Sequence, residues 1–188
     1  LASGTPVTAG TIDAAAEAIS VGVVEPGDMM VMYGTTMFFI HVTGDPVPDP
    51  RMWATAFVVP GMYAVDGGMS TAGALARWVR DTLGQPALAA AAAGGVTTVI
   101  DLPLADLSHT RGHLYRASLE GTAYGVRHNL ETMAAMGAPP KRLVAVGGGA
   151  NNPLWLQIVP DASGLPQDVP ERTSGASFGD AFLAGVAT

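Results

Sequence analysis

The sequence contains no cysteine, which removes disulfides, thiolate metal sites and cysteine nucleophiles together and suits a reducing, cytoplasmic setting. Charge is also scarce: 13% of the 188 residues are Asp, Glu, Lys or Arg, while 48% are hydrophobic. Such a composition excludes a disordered tail and points to one heavily buried domain over residues 1–188. Basic side chains number nine against sixteen acidic ones, a net charge of −7. The chain therefore lacks the electrostatic footprint of a nucleic-acid binder. Apolar runs at 21–24, 29–32 and 87–93 fall far below the roughly 20 residues that span a bilayer, so no membrane segment is expected. The opening LASGTPVTAG has neither an initiating Met nor a basic and then apolar leader. It reads as the middle of a longer protein rather than a signal peptide.

The phosphate loops GxxxxGK[ST] and GxGxxG are both missing. Phosphate held by so acidic a chain is expected to rest on backbone N–H groups, helix ends or a metal, not on a basic patch. Attention therefore turns to the 24 glycines, which with 14 prolines cluster between periodic segments and mark the turns.

Good helix formers over 13–21 predict a first helix, with Asp13 in the first turn where the helix dipole favours an acid. Pro26 and Gly27 turn the chain into two apolar strands, 29–33 and 37–43, separated by Gly34-Thr35-Thr36. A polar proline loop at 44–51 leads to two extended segments over 53–65, around Pro60 and Gly61. Residues 70–83 set Leu75, Trp78, Val79 and Leu83 at helical spacing, with Ser70 as cap and Gly84 as stop. The alanine-rich run at 87–93 and the irregular segment at 96–110 match no element well. The longest helical pattern, 111–136, gathers Leu114, Ala117, Ala123, Val126, Leu130 and Met133 on one broad face. Gly112, Gly121 and Gly125 inside it cost about 1 kcal/mol each and imply close packing or a ligand. A strand at 143–146 then runs into Gly147-Gly148-Gly149, followed by a helix at 153–163, a short strand at 167–169 and a last helix at 175–187. This alternation predicts an α/β fold.

Two glycine turns can carry chemistry. Gly34-Thr35-Thr36 can wrap a phosphate oxygen with amides and hydroxyls, or serve as an ordinary hairpin turn. Gly147-Gly148-Gly149, with Asn151 and Asn152 at the next helix start, offers bare backbone to a flat ligand, or a flexible strand-to-helix link. Asp13 suits a general base or a simple helix cap. The match of residues 175–179 to G-x-S-x-G is set aside, because no histidine follows Ser177; its small residues suit tight helix packing. His109 and His113 have the spacing of a zinc pair, yet neither the HExxH glutamate nor a third ligand accompanies them, so no metal ligands are assigned.

Together these segments resemble the C-terminal half of the FGGY carbohydrate kinases, closest to the xylulokinase and pentulose kinase branch. GTPVTAGTIDAAAEAISVGVV is similar to the segment around the family's catalytic aspartate, with Asp13 as the acid. MVMYGTTMFF resembles a phosphate-binding turn, which assigns Gly34, Thr35 and Thr36 to the ATP phosphates. STAGALARWVRD resembles the helix bordering the nucleotide, with Gly73 and Arg77 at matching positions. His113-Leu114 and then Ala117-Ser118-Leu119-Glu120 match the tail of a second signature. LVAVGGGANNPLWLQIVPDASGLP resembles the adenosine motif, with Gly148, Gly149 and Asn152 as contacts. The resemblance implies an actin-like ATPase architecture on a ribonuclease H-like domain, with ATP and Mg2+ as cofactors and a small sugar or polyol as acceptor. It also implies that the N-terminal, sugar-binding domain is absent and that an internal loop is missing between Gly95 and Leu107. Apolar surface left without that domain favours a homo-oligomer. A non-catalytic actin-like nucleotide-binding assembly module, in which Asp13 only caps its helix, fits the same residues.

Overall fold

The computed structural model describes residues 2–5, 7, 9–83, 110–171 and 175–186. The alanine-rich run at 87–93, the segment at 96–107, the Gly84 stop and His109 lie outside the described residues. In chain order the elements are α1 (Asp13–Ser20), β1 (Asp28–Tyr33), β2 (Met37–Thr43), β3 (Trp53–Ala56), β4 (Tyr63–Met69) and α2 (Gly73–Leu83), then α3 (Arg111–Ala135), β5 (Arg142–Val146), α4 (Pro153–Ser163), β6 (Gln167–Asp168) and α5 (Ala176–Val186). A single 3-10 turn, Gly148–Asn151, links β5 to α4.

The six strands form one mixed sheet in the order β3-β4-β2-β1-β5-β6. β1 pairs antiparallel with β2 and parallel with β5, so it is the seam between a hairpin half and a crossover half. After Asp28 its sequence MMVMY is apolar because both its faces are covered. Met29, Val31 and Tyr33 join Met37, Phe39, Leu143 and Ala145 on one face, under α2, α3 and α4. Met30 joins Ile40, Val42, Val144 and Val146 on the other, under Ala14, Ala15 and Ala18 of α1. Among the described residues no helix is long and apolar enough to cross a membrane.

Three details differ from the sequence expectation. α2 begins at Gly73, not after Ser70, because the first-turn amides of Ala72, Gly73 and Ala74 are taken by the carbonyls of Gly34 and Thr35. A neighbouring turn, not a serine side chain, caps this helix. Its core face is Ala76 and Val79, with Ala72 buried just before it, whereas Leu75 and Trp78 are exposed. β4 runs on to Met69 because Gly67 and Gly68, poor strand formers, still pair with Phe39 and Phe38.

The glycines inside α3 have unequal reasons. A Cβ on Gly125 would collide with the Met69 sulfur, whereas one on Gly121 would meet nothing within 4 Å. Close packing is confirmed at the first and absent at the second. His113 joins Thr110 in a capping box at the start of α3: the Thr110 hydroxyl accepts the His113 amide, and His113 Nδ1 accepts the Thr110 amide at 2.9 Å. The G-x-S-x-G stretch serves packing as expected, since Gly179 of α5 lies against the Ala16 backbone of α1 with no room for a Cβ. α5 rests on α1 and exposes Phe178, Phe182 and Val186 to solvent.

His41 is 1% exposed, with Nδ1 3.2 Å from the Asp28 carbonyl oxygen. Burial pushes its pKa below the ordinary 6.5, outweighing the carbonyls of Asp28 and Ala138 and the Asp28 charge, which act upward. The unfolded chain therefore binds the proton more readily. Stability from this group is complete above about pH 6.5 and is lost as pH falls below it. Thermal melts from pH 8 to pH 5 are expected to show the midpoint falling below pH 6.5, with that limb flattened in His41→Gln. Separately, Gly179→Ala is expected to cost about 2 kcal/mol in urea denaturation by forcing α5 off α1; an unchanged midpoint would contradict the close approach.

Candidate functional site

Tyr33 ends β1, and the pair Tyr33–Met37 closes a three-residue hairpin turn over Gly34, Thr35 and Thr36. The Gly34 amide donates to the Thr36 carbonyl at 3.0 Å. The carbonyls of Gly34 and Thr35 point back to α2, at 3.1 Å from the Gly73 amide and 3.0 Å from that of Ala74. Thr35 and Thr36 are exposed, and among the described residues no hydrogen bond uses their amides or hydroxyls. The turn thus points the Gly34 and Thr35 carbonyls inward, while among the described residues the donors of Thr35 and Thr36 stay without a partner.

β5 lies beside β1 and reaches its end at the same level, Val146 opposite Met32. Gly147 follows at φ +87°, the left-handed region that glycine tolerates, and a Cβ there would stand 2.9 Å from the Tyr33 carbonyl oxygen. A Cβ on Gly149 would stand 2.8 Å from Tyr33 Cβ and 3.0 Å from the Trp155 ring, so this glycine is required by packing. Gly148 alone faces open space. Asn152 then caps α4: its Oδ1 accepts the amides of Leu154 at 3.1 Å and Trp155 at 3.4 Å. Its Nδ2 donates to the Tyr115 hydroxyl at 3.2 Å.

These parts surround a cleft of about 400 Å³, within the usual range for small-molecule sites. Tyr33, Gly34 and Thr35 form one wall, Gly73, Ala76, Arg77 and Arg80 of α2 the second, and Gly148, Gly149, Asn152 and Trp155 the third, with Tyr115 reaching in from α3. The cleft residues include two arginines and no carboxylate. Arg80 is held by Asp81 at 2.7 Å, while Arg77 has no carboxylate partner among the described residues. The chain is acidic as a whole, yet the lining of this hollow carries two arginines. Total charge does not report how charge is distributed.

Of the nine candidate residues, Gly34, Thr35, Gly73, Arg77, Gly148, Gly149 and Asn152 line this one cleft. Thr36 borders an adjacent hollow with Phe38, Trp53 and Gly68. Asp13 stands elsewhere, exposed at the start of α1, the helix that covers the opposite face of the sheet; its carboxylate accepts the Ala14 amide at 2.8 Å. Sequence reasoning missed Tyr33, Arg80, Tyr115 and Trp155. Arg80 could have been found, one helical turn beyond Arg77.

Residues 97–188 match the FGGY family of carbohydrate kinases, C-terminal domain. A glycerol kinase of Gloeobacter violaceus is 32% identical over 194 residues, covering 87% of this chain and 39% of that enzyme. The chain belongs to the FGGY family. An autoinducer-2 kinase of Photorhabdus laumondii is 30% identical, over 97% of this chain and 42% of its own length. The crystal structure of xylulose kinase from Rhodospirillum rubrum superimposes with a TM-score of 0.88 at 30% identity, covering 99% of this chain and 43% of that one. The fold is therefore the actin-like ATPase fold in its α/β form, and the chain spans about two-fifths of the length of these relatives. The relatives are kinases, which implies ATP as phosphoryl donor and usually Mg2+. Bound Mg2+ commonly takes one or two carboxylates besides phosphate oxygens. The cleft lining has none, and the described residues hold no cluster of three His, Asp or Glu, so these residues do not form a Mg2+ site.

The contrast between adjacent glycines is measurable. Gly149→Ala is expected to lose about 2 kcal/mol in chemical denaturation, whereas Gly148→Ala, into open space, should stay within about 0.5 kcal/mol of wild type. Equal losses would mean that the loop is not seated against Tyr33.

Proposed function

We propose that this chain is the nucleotide-binding part of an ATP-dependent carbohydrate kinase that transfers the γ-phosphoryl group to a hydroxyl of a keto-pentose or related polyol. The observation that carries the reading is the meeting, at one hollow, of donors from distant parts of the sequence that have no partner among the described residues: the exposed Thr35 amide and hydroxyl, the Arg77 guanidinium and the bare backbone of Gly148. In this reading Thr35, Thr36 and Arg77 hold phosphate oxygens, and the nucleoside lies along Gly148, near Asn152. Asp13 accepts the proton of the attacking hydroxyl. Its exposure leaves it reachable by an alcohol. Phosphoryl transfer asks little covalent chemistry of the protein, so the residues here act by binding and orienting. Mg2+, carried in on the nucleotide, would supply charge neutralisation.

The near-complete overlap with a xylulose kinase at 30% identity supports the pentulose branch, and the glycerol kinase relative keeps smaller polyols within the class. The non-catalytic assembly reading draws on Asp13 standing away from the cleft; acceptor-dependent ADP release separates the two.

In a kinase comprising this chain and its sugar-binding domain, Asp13→Asn is expected to lower kcat about 10²- to 10⁴-fold. ATP affinity should change less than about twofold, measured by calorimetry alongside turnover. Turnover at the wild-type rate would remove Asp13 from the mechanism.

A further inference from the structure

We propose that Tyr115 reads the nucleoside in this cleft, donating its hydroxyl proton to an acceptor on the base or ribose; the proposal rests on the nucleotide reading above. Asn152 is the residue that resemblance nominates as the contact. Its Oδ1 is committed to the α4 amides of Leu154 and Trp155, and one Nδ2 hydrogen to Tyr115. The helix cap fixes which end of the amide is oxygen, so the direction of the Tyr115 bond is fixed too. The tyrosine oxygen accepts and keeps its own proton.

No described residue takes that proton. Tyr115 is 4% exposed and lines the cleft. Burial, the largest influence, raises its pKa above the ordinary tyrosine value, against the Asn152 hydrogen bond and the Arg80 charge. The hydroxyl is therefore neutral and a donor at neutral pH. A donor turned into a cleft with no acceptor among the described residues is placed to bond a ligand atom there. Tyr115 bonds to the wall formed by Gly148 and Asn152, not to the hairpin turn whose free donors suit phosphate, so the ligand atom it meets belongs to the nucleoside. Asn152 becomes a positioning residue that aims the tyrosine.

The test is calorimetric titration of the chain, wild type and Tyr115→Phe, with ATP, with inorganic tripolyphosphate by competition against ATP, and with 2′,3′-dideoxy-ATP. Phenylalanine keeps the ring packing, and a thermal melt within a few degrees of wild type verifies the fold. ATP affinity is expected to fall about tenfold while tripolyphosphate is unaffected. A similar loss on the dideoxy analogue assigns the acceptor to the base; no loss assigns it to the ribose. If Tyr115→Phe binds ATP like wild type, or weakens ATP and tripolyphosphate alike, the role of Tyr115 is overturned. Wild-type protein that binds none of the three ligands overturns the nucleotide reading and Tyr115 with it.

Discussion

The closest contact between the two glycine turns runs through one residue, Tyr33. Its backbone crowds the positions where Gly147 and Gly149 would carry a Cβ, so the loop after β5 can lie against the end of β1 only because both are glycine. Its ring meets Trp155 edge-on, centroids 5.1 Å apart, and its hydroxyl donates to Gln167 Oε1 at 2.7 Å. One side chain thus ties β1 to α4 and to β6. An aromatic pair in this geometry contributes about 0.5–1.5 kcal/mol beyond burial, enough to hold a short loop in place. With that loop seated, the free donors of the hairpin turn and the open backbone at Gly148 face the same space. The cleft follows from the contact.

The same economy governs the backbone donors. Helix N-termini are common anion sites, yet the first amides of α2 are spent on the carbonyls of Gly34 and Thr35, and Asn152 takes those of α4. Among the described residues of the cleft, the outward side of the hairpin turn and the Arg77 guanidinium keep donors without a protein partner. In a chain with few charges and a net charge of −7, that local arrangement differs from the chain's overall sign.

How legible this was in the sequence depended on the range of the signal. Periodicity and turn chemistry located α3, α4 and β2 closely, because burial on one or both faces writes itself into local composition. The start of α2 was misread because its cap is a turn distant in sequence. Its face was misread because Leu75 and Trp78 are apolar yet exposed, as single surface residues often are. Gly73 and Gly149 were nominated for a ligand, yet tertiary contact explains why each lacks a side chain. Tyr115 could not be found at all, since nothing in its neighbours along α3 shows that Asn152 will stand 3.2 Å away.

Asp13 starts the helix on one face of the sheet and the cleft lies among the helices of the other, and strand alternation sets their relative placement. Met29, Val31 and Tyr33 face the cleft helices, while Met30 faces α1, so one strand supports both layers. A one-residue slip of β1 would exchange these faces, taking Tyr33 from the cleft and Met30 from under α1 in a single step. The pairing of Met30 with both Ile40 and Val144 opposes that slip from two sides. The placement of α1, and so of Asp13, relative to the cleft is therefore set by the register of a buried strand.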